Sequence, residues 1–194
     1  MNAFADAQLV TVAGLALLGG LLVTAVWHDV RSFRIPNTVV LCGAALALVL
    51  HTLLPAGTGL VGDAPGGIGF LSALGGLATG LAALLPLYSL GAAGAGDAKL
   101  MAMIGAFLGP IDTIAAVVLT CIAGGALSVL YALRAKAVRR MAGNLRLIGY
   151  SLIARMAAVE TPSFDPLKDT AARIPYSIAI TTGTVAWLAV RYWR

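Results

Sequence analysis

Long apolar segments dominate this sequence and decide which class of fold it can adopt. Stretches of about 20 apolar residues recur along the 194-residue chain, and each is long enough to cross a ~30 Å hydrocarbon core as a helix. Only 11% of the residues are charged, less than half of the share of roughly a quarter that soluble domains carry. The sequence therefore predicts an integral membrane protein built from α-helices.

Glycines, prolines and charges divide the apolar sequence into about six transmembrane helices. A 98–133 stretch is too long for one span, and Gly109 and Pro110 near its middle indicate a hairpin of two helices. The first apolar run follows no positive charge, which favours a retained span over a cleaved leader. We expect an all-α polytopic bundle forming one membrane-embedded domain over residues 1–194. The other predicted spans cover 9–27, 38–54, 68–90 and 174–190.

The distribution of basic residues predicts the orientation of the bundle. Eleven of the 13 lysines and arginines fall on one side, and the loop between the second and third spans has none. Positive residues are enriched in cytoplasmic loops, so this side is predicted to face the cytoplasm and both termini to face away from it. The eleven are Arg31, Arg34, Lys99, Arg134, Lys136, Arg139, Arg140, Arg146, Arg155, Lys168 and Arg173.

The segment at about 134–173 is predicted to be cytoplasmic and to contain a basic amphipathic helix. Its apolar residues recur every three or four positions, and its basic residues project mainly from the opposite side. We expect this helix to lie on anionic lipid, and a solvated cytoplasmic helix is the alternative. The net charge of +5 therefore indicates contact with a membrane surface and not with nucleic acid. The apolar positions are Val138, Met141, Leu145, Ile148, Leu152 and Met156.

Two acids end predicted spans on the same, cytoplasmic side. Ionisable residues at such places are expensive to keep and are functional candidates by default. The topology brings Asp29 and Asp97 together although many residues separate them in sequence. Two facing carboxylates share a proton, so that one can act as a general base toward water and the other as a general acid toward a substrate carbonyl. This pair can hydrolyse a peptide bond without a metal.

The residues alone leave other interpretations open. Asp97 stands where a helix begins and could be its N-cap, and Asp29 could pair with Arg31 or Arg34. The same two acids could bind protons or cations in a small ion-coupled transporter, although no internal repeat is evident. A non-catalytic membrane assembly factor is a third candidate.

Neither a nucleotide site nor a metal site is expected. The stretch "GAAGAGDAK" lacks the Lys-Ser/Thr ending of a phosphate-binding loop and the third glycine of a dinucleotide fingerprint. Cys42 and Cys121 lie far apart in apolar runs, and no His, Cys and carboxylate cluster has metal-ligand spacing. We therefore expect no cofactor. A helix over 98–109 is too short to cross the membrane, so the glycine-rich segment before it, at about 91–97, must lie below the membrane surface. Irregular backbone at that depth is tolerated beside protein or water, and we therefore expect this segment to line a polar cavity.

Three motifs resemble those of the type IV prepilin peptidases. "GAGDAKL" (Gly94 to Leu100) resembles the GxGDxKL signature, and "DVRSFRIPN" (Asp29 to Asn37) resembles the first-aspartate motif D-x-x-x-x-x-I-P-N. "RIPYSIAI" near 173–180 is similar to the start of the last span in this family. The resemblance implies a GxGD-type intramembrane aspartic protease that cuts the basic leader from prepilin or pseudopilin precursors at the cytoplasmic membrane face.

The same resemblance implies roles for individual residues. Asp29 and Asp97 correspond to the catalytic pair. Six further residues are expected to shape the site or position its loops: Gly94, Gly96, Lys99, Arg31, Pro36 and Asn37. His28 and His51 match nothing in the family pattern.

One departure from the family pattern bears on the subtype. Larger, bifunctional members carry an insertion with paired CxxC motifs after the first span, which is associated with methylation of the new pilin N-terminus. Here about ten residues separate the first two predicted spans, and the sequence has no CxxC. The chain resembles the compact, peptidase-only type associated with Flp pili and tight-adherence secretion.

Overall fold

The computed structural model describes residues 3–61, 64–89, 93–134 and 175–193, together with positions 136, 143, 146, 149 and 150. In these ranges the regular elements are helices, and one isolated bridge joins Ala56 and Gly67. The all-α prediction is confirmed. The amphipathic helix predicted within 134–173 lies almost entirely outside the described residues. The helices are α1 (Ala3–Ser32), α2 (Asn37–Leu53), α3 (Phe70–Ser89), α4 (Ala95–Leu108), α5 (Pro110–Arg134) and α6 (Ser177–Tyr192).

The outer surface of the bundle is apolar, as a lipid-facing surface must be. Leu71 and Ile111 are 80% and 81% exposed, and many other large apolar side chains point outward. Three helical segments of the described chain are long and apolar enough to cross a membrane: Val12–Ser32, Phe70–Ser89 and Pro110–Arg134. The helix α2 is apolar but shorter, at 17 residues. These features fit a helical membrane bundle.

The short helix α4 lies at the centre of the bundle. Apart from Lys99, every residue from Asp97 to Leu108 is buried. The helix packs mainly against α2 and α3, and it also touches α1, α5 and α6. Its 14 residues span about 21 Å, which is less than a ~30 Å hydrocarbon core. Asp97 therefore lies on a helix that is surrounded by the other helices.

Glycines allow α4 to approach α3 closely. A Cβ atom on Gly76 would collide with the carbonyl oxygen of Gly105, and one on Gly80 would collide with that of Met101. Gly76 and Gly80, spaced as a GxxxG pair, thus form a small-residue interface with α4. A similar approach joins α6 to α5, where Gly183 faces Thr120.

His51 joins three segments at the end of the bundle where α2 and α4 finish. Its Nε2 donates to the carbonyl oxygen of Phe107 at 2.9 Å, and its Nδ1 accepts the Ile68 N–H at 3.4 Å. This assignment places a neutral imidazole with its proton on Nε2. The side chain is buried at the opposite end from Asp29 and Asp97, so its role is structural.

Two predicted helix boundaries compare instructively with the structure. The break between α4 and α5 falls at Gly109 and Pro110 as predicted, with Gly109 in the positive-φ region at 81°. The first helix, however, was predicted to end at Trp27 and continues to Ser32. Phe33 ends it with a φ of 50°. Asp29 is therefore a helical residue near the C-terminal end of α1.

Candidate active site

Asp29 is buried near the end of α1 and is held by the last helix of the chain. Its side chain is only 7% exposed. The Oδ2 atom accepts a hydrogen bond of 3.2 Å from the main-chain N–H of Ser177, the first residue of α6. The first N–H groups of a helix have no partner within it and carry partial positive charge, so they bind a carboxylate well. Asp29 thus caps a helix that begins 148 residues later.

Asp97 is buried in the first turn of α4. Its Oδ2 accepts the main-chain N–H of Gly94 at 2.8 Å, and Gly94 is the N-cap residue of the helix. The idea that Asp97 is itself the N-cap is wrong, because α4 begins earlier than its sequence suggests and Asp97 occupies the third helical position. The bond from the Gly94 N–H to the Asp97 side chain is one half of a capping box. The other half is missing, because Gly94 has no side chain that could accept an N–H of the helix.

The two carboxylates lie at the same end of the bundle and interact electrostatically. Each is at most 9% exposed, and each accepts one main-chain N–H at a helix N-terminus. Neither Arg31 nor Arg34 pairs with Asp29 in the described structure, where Arg31 instead stacks over the Trp27 ring at 4.0 Å. The predicted juxtaposition of the acids is present, and the arginine-pair alternative finds no support there.

The two sequence motifs touch each other through a side-chain bond. Lys99 donates through Nζ to the Oδ1 of Asn37 at 3.0 Å. Asn37 begins α2, and Pro36 precedes it as the N-cap with φ −63° and ψ 130°. A Cβ atom on Gly96 would sit 3.4 Å from Ile35, so the first turn of α4 packs directly on this loop. Predicted site-shaping residues from both motifs therefore form one assembly.

The start of α6 contributes residues that sequence reasoning did not select. Ser177 holds Asp29, and the Tyr176 ring packs over Gly124, where a Cβ atom would come within 2.9 Å of Cε2. The Tyr176 phenol also interacts electrostatically with Asp97. The resemblance of "RIPYSIAI" to a family segment pointed to this region, but it did not reveal which residue would reach an aspartate.

The described residues contain no group of three or more His, Cys, Asp and Glu side chains that could hold a metal ion. The two cysteines are separate and exposed on the apolar surface. What the site does offer is two carboxylates with different surroundings. Such a pair can divide the roles of general acid and general base.

An apolar exterior around helices that bury two carboxylates at one end is typical of an integral membrane protein. Comparison with protein families then identifies it. The model of the type IV leader peptidase family matches residues 15–129, more than half of the chain, and the chain belongs to that family. No curated protein and no solved structure matches it.

Membership in the type IV leader peptidase family makes the protein a peptidase and thus a hydrolase. The family predicted from the motifs is confirmed. The matched region contains both aspartates and the Lys99–Asn37 bond, whereas α6 lies beyond it. The transporter alternative gains no support from this comparison.

Proposed function

We propose that this protein is an intramembrane aspartic endopeptidase that removes the short basic leader from Flp-like prepilin or pseudopilin precursors. One observation carries the proposal most strongly: α1 and α4 bring two buried carboxylates to one end of the bundle, inside a chain of the type IV leader peptidase family. The whole chain, residues 1–194, would act as one membrane-embedded domain. Prepilin precursors and membrane lipid are its partners in this proposal, with no role for nucleic acid.

The proposed reaction uses Asp29 and Asp97 as a pair. One carboxylate is ionised and takes a proton from water, while the water oxygen forms a bond to the scissile carbonyl carbon. The other carboxyl is protonated and gives its proton to the carbonyl oxygen. Collapse of the tetrahedral intermediate breaks the C–N bond. The carboxyl that took the proton of the water gives a proton to the leaving amine, and the other carboxylate takes back its proton from a hydroxyl of the intermediate. Burial favours this division because two close carboxylates do not ionise together readily.

The short connection between α1 and α2 supports a peptidase without a methyltransferase function. Only residues 33–36 join these helices. This leaves no room for the CxxC-bearing insertion of the bifunctional type. We therefore infer the compact, Flp-associated type, whose product keeps an unmethylated N-terminus.

The distribution of positive charge supports a site that opens toward the cytoplasm. Arg31, Arg34 and Lys99 are exposed at the same end of the bundle as the aspartates. Positive residues concentrate on the cytoplasmic side of membrane proteins. We place the enzyme in a bacterial or archaeal cytoplasmic membrane, with the aspartates near its inner face and anionic lipid around them.

Asparagine substitutions test the proposed pair. Asp29→Asn and Asp97→Asn should each nearly abolish loss of the leader from purified candidate prepilins, measured by mass spectrometry in detergent. The double variant should be scarcely worse than either single one, because residues that act as a unit are strongly non-additive. Folding should survive, since an asparagine oxygen can still accept the Ser177 or Gly94 N–H.

Asp112→Asn is the matched control. Asp112 is a carboxylate at the start of α5, at the other end of the bundle, where it pairs with Arg191 at 3.9 Å. Its loss should leave cleavage intact. Full activity in Asp97→Asn or Asp29→Asn would exclude the two-aspartate mechanism.

A further inference from the structure

Ser177 carries a buried hydroxyl group that the fold itself does not use. The residue is 0% exposed, and its N–H donates to Asp29 at 3.2 Å. Its Oγ has no hydrogen-bond partner in the part of the chain that the structure describes. A buried hydroxyl without a partner is unfavourable, so such a group at a functional site calls for an explanation.

The Ser177 hydroxyl lacks the kind of partner that the hydroxyls of two other buried residues have. Thr184 and Thr113 are equally buried, and each donates its hydroxyl to the carbonyl oxygen four residues earlier in its own helix or cap. Ser177 is the first residue of α6, and the two described carbonyls just before it, those of Pro175 and Tyr176, accept main-chain N–H groups of Ile178 and Ile180. The hydroxyl therefore remains available beside the Asp29 carboxylate.

We propose that Ser177 is a positioning residue whose hydroxyl binds the attacking water and holds it against Asp29. This inference rests on the proposed function, since it assumes that the aspartates activate a water molecule. A serine hydroxyl both accepts and donates a hydrogen bond, so it can bind one hydrogen of the water while a carboxylate binds the other. Buried polar sites of this kind commonly bind a water that bridges otherwise unpaired groups. Ser177 is unchanged by the reaction, and the proton of the attacking water still passes to the Asp29 carboxylate.

The main-chain bond and the hydroxyl then have separate tasks. The N–H fixes the Asp29 carboxylate at the start of α6, and it survives any side-chain substitution at position 177. The hydroxyl orders the water. A substitution that removes only the hydroxyl should therefore leave Asp29 in place and slow the chemical step.

Ser177→Ala tests the inference in the full-length enzyme with a candidate prepilin as substrate. We expect kcat to fall roughly tenfold, the effect of losing one hydrogen bond in the transition state, with KM nearly unchanged. The melting temperature should change little, because the hydroxyl has no protein partner among the described residues. Ser177→Thr keeps the hydroxyl and should recover most of kcat.

Thr120→Val is the matched control. Thr120 lies on α5 and is also 0% exposed with an unpartnered hydroxyl, but it faces Gly183 and not an aspartate. Its substitution should leave kcat unchanged. If the alanine variant at position 177 is not recovered folded, kcat of Ser177→Gly decides in its place.

The outcomes separate this inference from the proposed function. A Ser177→Ala enzyme with full kcat, beside inactive Asp29→Asn, would overturn the role of Ser177 alone. An equal loss of kcat in Thr120→Val would overturn it too, because the effect would then belong to buried hydroxyls in general. An active Asp29→Asn enzyme would instead refute the two-aspartate mechanism on which both rest.

Discussion

Lys99 and Asn37 join the two aspartate-bearing motifs by a hydrogen bond of 3.0 Å between Nζ and Oδ1. Lys99 stands two residues after Asp97 on α4, and Asn37 begins α2 directly after the loop that leaves α1. The bond therefore ties the helix that carries one aspartate to the loop that follows the other. Both side chains are exposed, so the bond shapes the rim of the site and not its core.

Removal of either partner should loosen this rim. Lys99→Ala and Asn37→Ala should each lower kcat/KM by about two- to fivefold, because an exposed charge-assisted bond is worth roughly 0.5–1 kcal/mol. The double variant should be no worse than the more affected single one, as expected for two groups that act through one contact. Arg34→Ala removes a positive charge from the same loop, and its effect should simply add to that of Asn37→Ala. Additivity between Lys99→Ala and Asn37→Ala would mean that the bond has no energetic role.

Close packing of α3 on α4 predicts that Gly76 cannot be enlarged. Gly76→Ala places a methyl group against the Gly105 carbonyl oxygen, which belongs to the main chain and cannot rotate away. We expect a loss of stability of about 1–3 kcal/mol or more, measured by thermal unfolding in detergent. Gly125→Ala is the control, because nothing lies within 4 Å of its Cβ position, and it should be neutral or stabilising. Equal melting temperatures for both variants would contradict the described α3–α4 interface.

His51 should matter for stability and not for chemistry. His51→Ala removes a donor to Phe107 and an acceptor for Ile68 and leaves a cavity, at a cost of roughly 2–4 kcal/mol. Cleavage per mole of folded enzyme should persist, since the imidazole lies at the far end of the bundle. His28→Ala, which changes an exposed side chain on α1, should leave both properties within experimental error. A stable but inactive His51→Ala enzyme would show that we have assigned the residue to the wrong role.

The proposed orientation can be tested with two single cysteines. In a variant that lacks Cys42 and Cys121, Ala56→Cys should react with a membrane-impermeant reagent added outside intact cells. Ser32→Cys, exposed at the aspartate end, should react only after permeabilisation. The physical reason is the excess of lysine and arginine at the Ser32 end. The reverse labelling pattern would place the site on the other face of the membrane.

Sequence reasoning succeeded where a local signal sets the structure. The break at Gly109 and Pro110 was predictable because proline cannot continue a helix and glycine readily adopts positive φ. The end of α1 was not, since the predicted first span stops at residue 27, where polar residues begin, whereas the chain keeps its helical bonds through Ser32. Polarity marks the edge of a span, but it does not by itself end a helix.

The residues of the site could be predicted only where they belong to the sequence motifs. Asp29 and Asp97 stood out because carboxylates are rare in so apolar a chain. Ser177 did not, because a serine at the start of a helix is ordinary and its contact with Asp29 spans 148 residues. No periodicity or spacing encodes a bond between a main-chain N–H and a side chain so far away. Such a contact follows only from the packing of α6 beside α1.

The burial of α4 has a consequence for how the protein is made. From Leu100 to Leu108 this helix presents nothing to lipid, so partition into the bilayer does not hold it in place and contacts with neighbouring helices must. Its own insertion signal is weak, and Asp97 would be costly to expose to hydrocarbon alone. The helix can therefore settle only after α2, α3 and α5 have been inserted around it. We therefore expect the surrounding helices to be inserted first and the two buried carboxylates to come together last.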